Sequence, residues 1–438
     1  MLLGTMQPEA VVTELARNAG DRWRRWVSVL GPGLITGAAD DDPSGISTYS
    51  IAGASTGFSM LWAVLLTMPM MAVIQGMCAR IGMVTGSGLA TNMRKHLSPW
   101  LVYPIASATV IANVINAGAD LQGMGAAARL LLGMPILFWI VIFGVALAAM
   151  QLFCSYRLIF SVVKWLTISL FAYVITAFAV RPDWGIVLRH TVVPEVHFNA
   201  AWLTTLMALL GTTITPYLFF WQASLMVEEE KSIGRTTLPE RRGATADEIG
   251  DSHLDVNTGM IFSNIVAFFI IVTTAAVLNA HGHTNIQTAE DAARALQPLA
   301  GRFASLLFTL GMVGTGLLAI PALIASSAYV VAESLGFRRG LDMPLRRAPG
   351  FYGTLFIGML VAMSIGLLGI DPIRALFWSA VINGIVAVPL LAIIVIFASN
   401  KTLMGKWRSS PLARAWGWAT VAVMTLSAIS IFVFWGKS

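Results

Sequence analysis

The chain has 438 residues, of which 57% are hydrophobic and only 11% charged, against roughly 25% charged in an ordinary soluble domain. A mean hydropathy of +0.75 excludes a soluble fold and points to an all-α polytopic membrane protein with the lipid bilayer as its solvent. The net charge of +6 comes from basic residues clustered between apolar segments, which is the positive-inside pattern and not a nucleic-acid-binding face.

In chain order, the first twenty residues lack a positive stretch followed by an apolar one. No cleaved signal peptide is expected, and the N-terminus is expected in the cytoplasm. A spanning helix needs about 20 apolar residues. That ruler predicts spans near 27–57, 59–82, 101–127, 134–154, 158–180, 200–230, 256–280, 303–335, 350–370, 373–398 and 412–435. Eleven spans place the C-terminus opposite the N-terminus, in a cell-membrane protein. The count agrees with charge: 21 of the 28 basic residues fall on the cytoplasmic face and 7 outside, a bias that one helix more or fewer would scramble.

The spans 27–57 and 200–230 are too long for one plain helix, and each carries a central proline. They open two repeats with an odd number of spans each, so the second is inverted. The chain divides into a cytoplasmic segment 1–26, a first five-helix repeat 27–180, an outer loop 181–199, a second inverted five-helix repeat 200–398 with a cytoplasmic loop at 231–255, and 399–438, a cytoplasmic loop and eleventh helix. The outer loop near 281–302 reads as a short surface helix.

The first broken helix contains Asp40-Asp41-Asp42-Pro43. Three aspartates facing lipid would cost on the order of 8–10 kcal/mol, which a cation in a hydrated cavity would offset. Pro43 bars regular helix before it and frees carbonyls around Ala38 and Ala39. Carboxylate and carbonyl oxygens together suit a hard cation. The alternative is that the acids cap the second half-helix and face water. The second broken helix reads Gly211-Thr212-Thr213-Ile214-Thr215-Pro216, with Thr215 placed before Pro216 as Asp42 is before Pro43. Its threonines either offer oxygens to an ion or back-bond their own helix.

Gly31-Pro32-Gly33, the eight-residue gap and Asp42-Pro43, together with Gly211 to Ser224 and Asn113 to Gln122, resemble the Nramp family of divalent-metal transporters over about 30–400. The resemblance implies a LeuT-type fold, with broken helices 1 and 6 holding the metal between them and an eleventh helix beyond the repeats. By the same resemblance, the metal-binding Asp falls on Asp42, the carbonyl donors on Ala39 and Thr212, and a tenth-helix polar residue near Asn383. The family's Asn falls on Gly45, its Met on Thr215, and two histidines on Tyr217 and Gln222. Asp120 keeps the third-helix Asp, while the Glu beyond it is Gly123.

Thioether sulfur favours softer metals, whereas oxygen ligands favour hard ions. Thr215 and the added Asp40 and Asp41 therefore shift the site toward Mg²⁺, with Mn²⁺ next. Gly45 leaves room for a retained water, as Mg²⁺ prefers. This pattern is similar to the Nramp-related magnesium transporters. Asp41 joins the expected metal ligands; Asp120, Asp40, Tyr217 and Gln222 are candidates for coupling or the ion pathway, and Asp120 could equally be a structural hydrogen-bond hub.

Other features carry less. Glu228, Glu229 and Glu230 read as a solvated interfacial cluster, with Glu333 alike. Ser326 and Ser327 could line a sodium site or bond their own backbone. Met68, Met70, Met71 and Met77 read as packing, and Cys78 and Cys154 as small buried hydrophobes. His190, His253, His281 and His283 fall in expected loops. No nucleophile–base pair or cofactor motif appears, so neither an enzyme nor a resident cofactor is expected, nor any obligate protein partner. The rival reading is a sodium-coupled carrier of an amino acid or other small organic solute. Its anionic cargo would be repelled by Asp40, Asp41 and Asp42.

Overall fold

Proline opens both halves of the first broken helix, the second half of the other, and four further helices. The computed structural model describes residues 31–153, 168–341 and 343–434. The segment 1–26, Cys154, the first part of the 158–180 span, and Arg157, Lys164 and Lys437 lie outside the described residues. The first broken helix is α1 (Pro32–Asp40) followed by α2 (Pro43–Thr56). After it come α3 (Leu61–Thr85), α4 (Leu89–His96), α5 (Pro99–Leu132), α6 (Ile136–Phe153), α7 (Phe171–Val180) and α8 (Trp184–Val192). The second broken helix is α9 (Ala200–Thr213) with α10 (Pro216–Ser232). The chain continues through α11 (Ala246–Val277), α12 (Ala304–Leu335), α13 (Pro349–Ile365), α14 (Pro372–Ser399) and α15 (Pro411–Phe434).

Eight helices among the described residues are long and apolar enough to span a bilayer, with α9 and α10 counted as one; α6 and α7 are shorter apolar helices. With the broken pair α1–α2 these make up the eleven expected segments. The outer stretch near 281–302 does carry a short helix, Ala289–Ala293.

Two elements differ from the sequence reading. The range 231–255 is not all loop: α11 starts at Ala246, where Thr245 and Glu248 form a reciprocal capping box. Its first turns are polar, so a hydropathy ruler cannot register them, although the capping signal is strong. His253 is thereby helical, and His190 lies in α8. The short helix α4 also escapes a ruler set to spanning lengths.

Both half-helices that precede a break lie against another helix backbone to backbone. A Cβ on Gly37 would strike the carbonyl of Gly259 in α11, and one on Gly211 would strike the carbonyl of Ala380 in α14. Small residues permit this approach, as is common where helices associate within a bilayer. Asp255 of α11 fixes the start of α1, its carboxylate accepting from the amides of Gly31 at 2.9 Å, Gly33 at 2.6 Å and Leu34 at 3.0 Å. These are orphan donors of a helix N-terminus, where a carboxylate also suits the helix dipole.

Candidate functional site

The two breaks follow one rule. A helical N–H bonds the carbonyl four residues earlier, and proline has no N–H. Pro43 therefore leaves the Ala39 carbonyl without its helical donor, and Pro216 does the same to Thr212. Asp42 and Thr215 each take extended backbone as N-cap of the following half-helix.

Their side chains then diverge. Asp42 Oδ1 accepts from the Gly45 amide at 2.7 Å, an ordinary N-cap bond. Its Oδ2 accepts from Asn116 Nδ2 at 2.9 Å. Thr215 makes no cap bond, and its hydroxyl is buried with no partner among the described residues. The capping alternative for Asp42 thus holds for one carboxylate oxygen.

Asn116, which sequence reasoning passed over, joins two acids. The same Nδ2 lies 3.4 Å from Asp120 Oδ2, and Asp120 Oδ1 accepts from the Ser44 amide at 3.1 Å. Asp42 and Asp120 thus share the N-terminus of α2, each taking one free amide. Asn116 and Asp120 sit one turn apart in α5, an i,i+4 polar pair in a mostly apolar helix. That spacing was the available signal.

Across the break, the Tyr217 hydroxyl donates to the Ala39 carbonyl at 2.6 Å, and Ser326 Oγ of α12 donates to the Tyr217 carbonyl at 2.9 Å. Asp40 and Asp41 turn to α11, where Ser263 Oγ lies 2.5 Å from Asp40 Oδ2 and 3.2 Å from Asp41 Oδ1. One hydroxyl holds one proton and can donate to only one acid at a time. Asp40 Oδ1 and Asp41 Oδ2 are buried without a partner among the described residues.

Gly45 stands between the breaks. A Cβ there would lie 3.4 Å from Thr212 Oγ1 and 3.5 Å from the Asp40 carbonyl, so a longer side chain would occupy the gap. On α14, Ser379 Oγ lies 3.4 Å from Ser44 Oγ, and Asn383 follows one turn later with its Oδ1 buried and without a partner among the described residues. Gln222 lies further along α10, buried, with neither amide atom satisfied among the described residues, where no hydrogen bond joins it to the other candidates.

Asp40, Asp41, Asp42 and Asp120 are each at most 3% exposed. Among the described residues none has a cationic partner, and no three His, Cys, Asp or Glu side chains form a cage. Buried charge without a counter-charge is costly. Four acids held only by amide and hydroxyl donors make a strongly cation-attracting region, and its remaining donors are neutral oxygens.

Of the peripheral acids Glu229 is exposed, as expected of a solvated cluster, but Glu228, Glu230 and Glu333 are partly or fully buried. Glu228 binds Lys231 at 2.8 Å and the Tyr329 hydroxyl at 3.1 Å, and Glu230 is buried against Arg235. Glu333 is buried as well, accepting from the Thr91 amide at the start of α4 and from Arg339 Nε at 3.0 Å. Glu230 and Glu333 are structural ties because Arg235 and Arg339, just beyond the helix ends, fold back onto them. Ser327 bonds its own backbone at Leu323.

Residues 33–434 match the sequence profile of the family described as Natural resistance-associated macrophage protein-like, or Nramp. The chain is 28% identical over 413 residues to the divalent metal cation transporter MntH of Klebsiella pneumoniae (strain 342), covering 93% of this chain and 94% of that relative. Among solved structures, the Eremococcus coleocola manganese transporter bound to an aromatic bis-isothiourea compound superposes with a TM-score of 0.73 at 19% identity, covering 93% of this chain and 87% of the other. Mhp1, a nucleobase-cation-symport-1 family transporter in a closed conformation, superposes with a TM-score of 0.54 at 14% identity, covering 92% and 91%. At such identities these likenesses concern the fold, which is LeuT-type: two inverted five-helix repeats and an eleventh helix.

Proposed function

This chain belongs to the Nramp family, and from that premise we propose that it carries a divalent metal cation across the membrane by alternating access, Mg²⁺ in preference to Mn²⁺. It is a transporter and not an enzyme; the ion is its substrate, and no resident cofactor is invoked. The observation that carries the reading is the set of four buried acids, without a cationic partner among the described residues, gathered where two broken helices meet.

In the proposed cycle Asp42 supplies the charge nearest the ion. The Ala39 and Thr212 carbonyls and the Thr215 hydroxyl supply neutral oxygens, with Asn383 and Asp41 close to the same break region. Gly45 leaves space for a water that stays on the ion, which suits the reluctance of Mg²⁺ to dehydrate. The all-oxygen donor set is what favours Mg²⁺ over softer metals. Rocking of the helices about the site then opens it to either side. The protein sits in the cell membrane with its N-terminus cytoplasmic and its C-terminus opposite, as the basic loops favour. Asp120, joined to Asp42 through Asn116, is the candidate for coupling, with Asp40, Tyr217 and Gln222 on the pathway.

The test is uptake into liposomes of Mg²⁺ and Mn²⁺ by the wild type and Asp42→Ala, with a pH dye in the lumen. Mg²⁺ influx that disappears in Asp42→Ala supports the proposal. Mn²⁺ influx alone would overturn the Mg²⁺ preference. Influx of neither metal would overturn metal transport and make a sodium-coupled carrier of an organic solute the next assay.

A further inference from the structure

A cavity lies away from the broken helices, between α3, α11 and α15. It encloses about 470 Å³ and is lined at one end by Arg80, His253 and Asn257, and elsewhere by apolar side chains including Val73, Ile261 and Trp416. That volume lies within the range of small-molecule sites.

The lining is graded along the bundle. Arg80 sits near the C-terminal end of α3 and His253 in the early turns of α11, while Ser410 immediately precedes α15. These are the ends of three helices meeting at one face. From Arg80 back to Met68, α3 runs about 18 Å at 1.5 Å per residue, and from His253 to Ile261, α11 runs about 12 Å. The cavity is thus polar at the face of the bundle and apolar toward its middle. Ile261, on the apolar stretch of the lining, is 43% exposed, at a depth suited to the acyl chains of the bilayer.

Charge decides what fits. Among the described residues no Asp or Glu lines the cavity. Arg80 Nε is shielded from solvent without an acceptor, and among the described residues Arg80 has no ion pair. Ionisable groups within spans are usually paired. Basic residues stand near the same end, alongside the acids of the first turns of α11: Arg241 lies against Gly86 just past α3, and Lys406 and Arg408 precede α15. Basic recesses between spanning helices at such a face suit anionic lipid headgroups.

We infer that this cavity binds one anionic phospholipid, its phosphate on Arg80 with His253 and Asn257 beside it and its acyl chain along Val73, Ile261 and Trp416. The inference does not depend on the identity of the transported ion.

The test uses the purified full chain in a non-ionic detergent, with thermal unfolding followed against added phosphatidylglycerol, phosphatidylcholine or inorganic phosphate. Phosphatidylglycerol is expected to raise the midpoint at concentrations where the other two do not. Arg80→Gln should raise the half-maximal lipid concentration at least tenfold, and Arg80→Lys should restore most of it. Ala72→Trp, which fills the cavity and keeps the charge, should weaken binding likewise and serves if Arg80→Gln does not fold. Equal stabilisation by both lipids would overturn the proposal, and so would an unchanged response in both Arg80→Gln and Ala72→Trp. A response to inorganic phosphate matching that to the lipid would mean a free-anion site instead.

Discussion

The Tyr217 hydroxyl donates to the Ala39 carbonyl at 2.6 Å, so the oxygen that Pro43 releases from its own helix is held by the other broken helix. In this sealed state one proposed ion ligand is occupied by a side chain. A carbonyl has two lone pairs, but an ion and a hydroxyl proton compete for its charge. Removing that competitor with Tyr217→Phe is expected to tighten metal binding by about 2–10-fold, since one such bond contributes about 0.5–1.5 kcal/mol net. Calorimetric titration of Mg²⁺ checks this. Weaker binding in Tyr217→Phe would show instead that the hydroxyl helps to hold the metal.

Asp42 serves two tasks that one substitution separates. In Asp42→Asn the amide oxygen can still accept from the Gly45 amide, so the cap and the fold should survive. The full charge is lost, and hydrogen bonds and metal contacts of ionised groups are the stronger ones. Metal uptake is expected to fall at least about tenfold, equivalent to 1.4 kcal/mol, while the protein still folds, its unfolding midpoint lowered only by loss of the bond from Asn116 to the second oxygen. Uptake assays and thermal unfolding on the same preparation check both halves.

Asn116 gives one amide group to two acids. Asn116→Ala leaves Asp42 Oδ2 and Asp120 Oδ2 without that donor, at a cost of about 1–3 kcal/mol for buried acceptors left unsatisfied. Stability is expected to drop, and added Mg²⁺ should recover part of it, because a ligand that binds only the native state stabilises it by mass action. Unfolding midpoints with and without Mg²⁺ test this. A drop that Mg²⁺ leaves unchanged would confine Asn116 to a structural role.

The glycine contacts make a purely steric prediction. Gly37→Ala would push a methyl into the Gly259 backbone carbonyl, which cannot rotate away. Overpacking of this kind costs about 1–3 kcal/mol or more. Gly353→Ala has nothing within 4 Å of its new Cβ and serves as the silent control. The monodisperse yield by size-exclusion chromatography should fall for the first variant and hold for the second.

What the sequence made legible was whatever depends on neighbours along the chain. Pro43 and Pro216 mark both breaks, and counting back four residues from each leads to Ala39 and Thr212. Charge and hydropathy gave the eleven spans. What stayed hidden depends on contacts between distant parts. Asn116 meets Asp42 across 74 residues, Ser263 meets Asp40 across 223, and Asp255 meets Gly33 across 222. Serine and asparagine are common in membrane helices, and only tertiary packing distinguishes one that bonds an acid from one that bonds its own backbone. Asp255 was further obscured because the polar start of α11 resembles a loop.

The Asp255 clamp bears on the mechanics of the whole protein. Three amides at the start of α1 are tied to one carboxylate on α11, and the glycine contact fastens the same two helices further along. The short half-helix is therefore coupled to α11 as a single lever. The nearest place where that lever can bend is the unwound Asp41–Asp42 joint, at which the proposed cargo would rest. A pivot built from the ligand itself would feel the load directly, because an ion that stiffens the joint also changes how freely the lever swings.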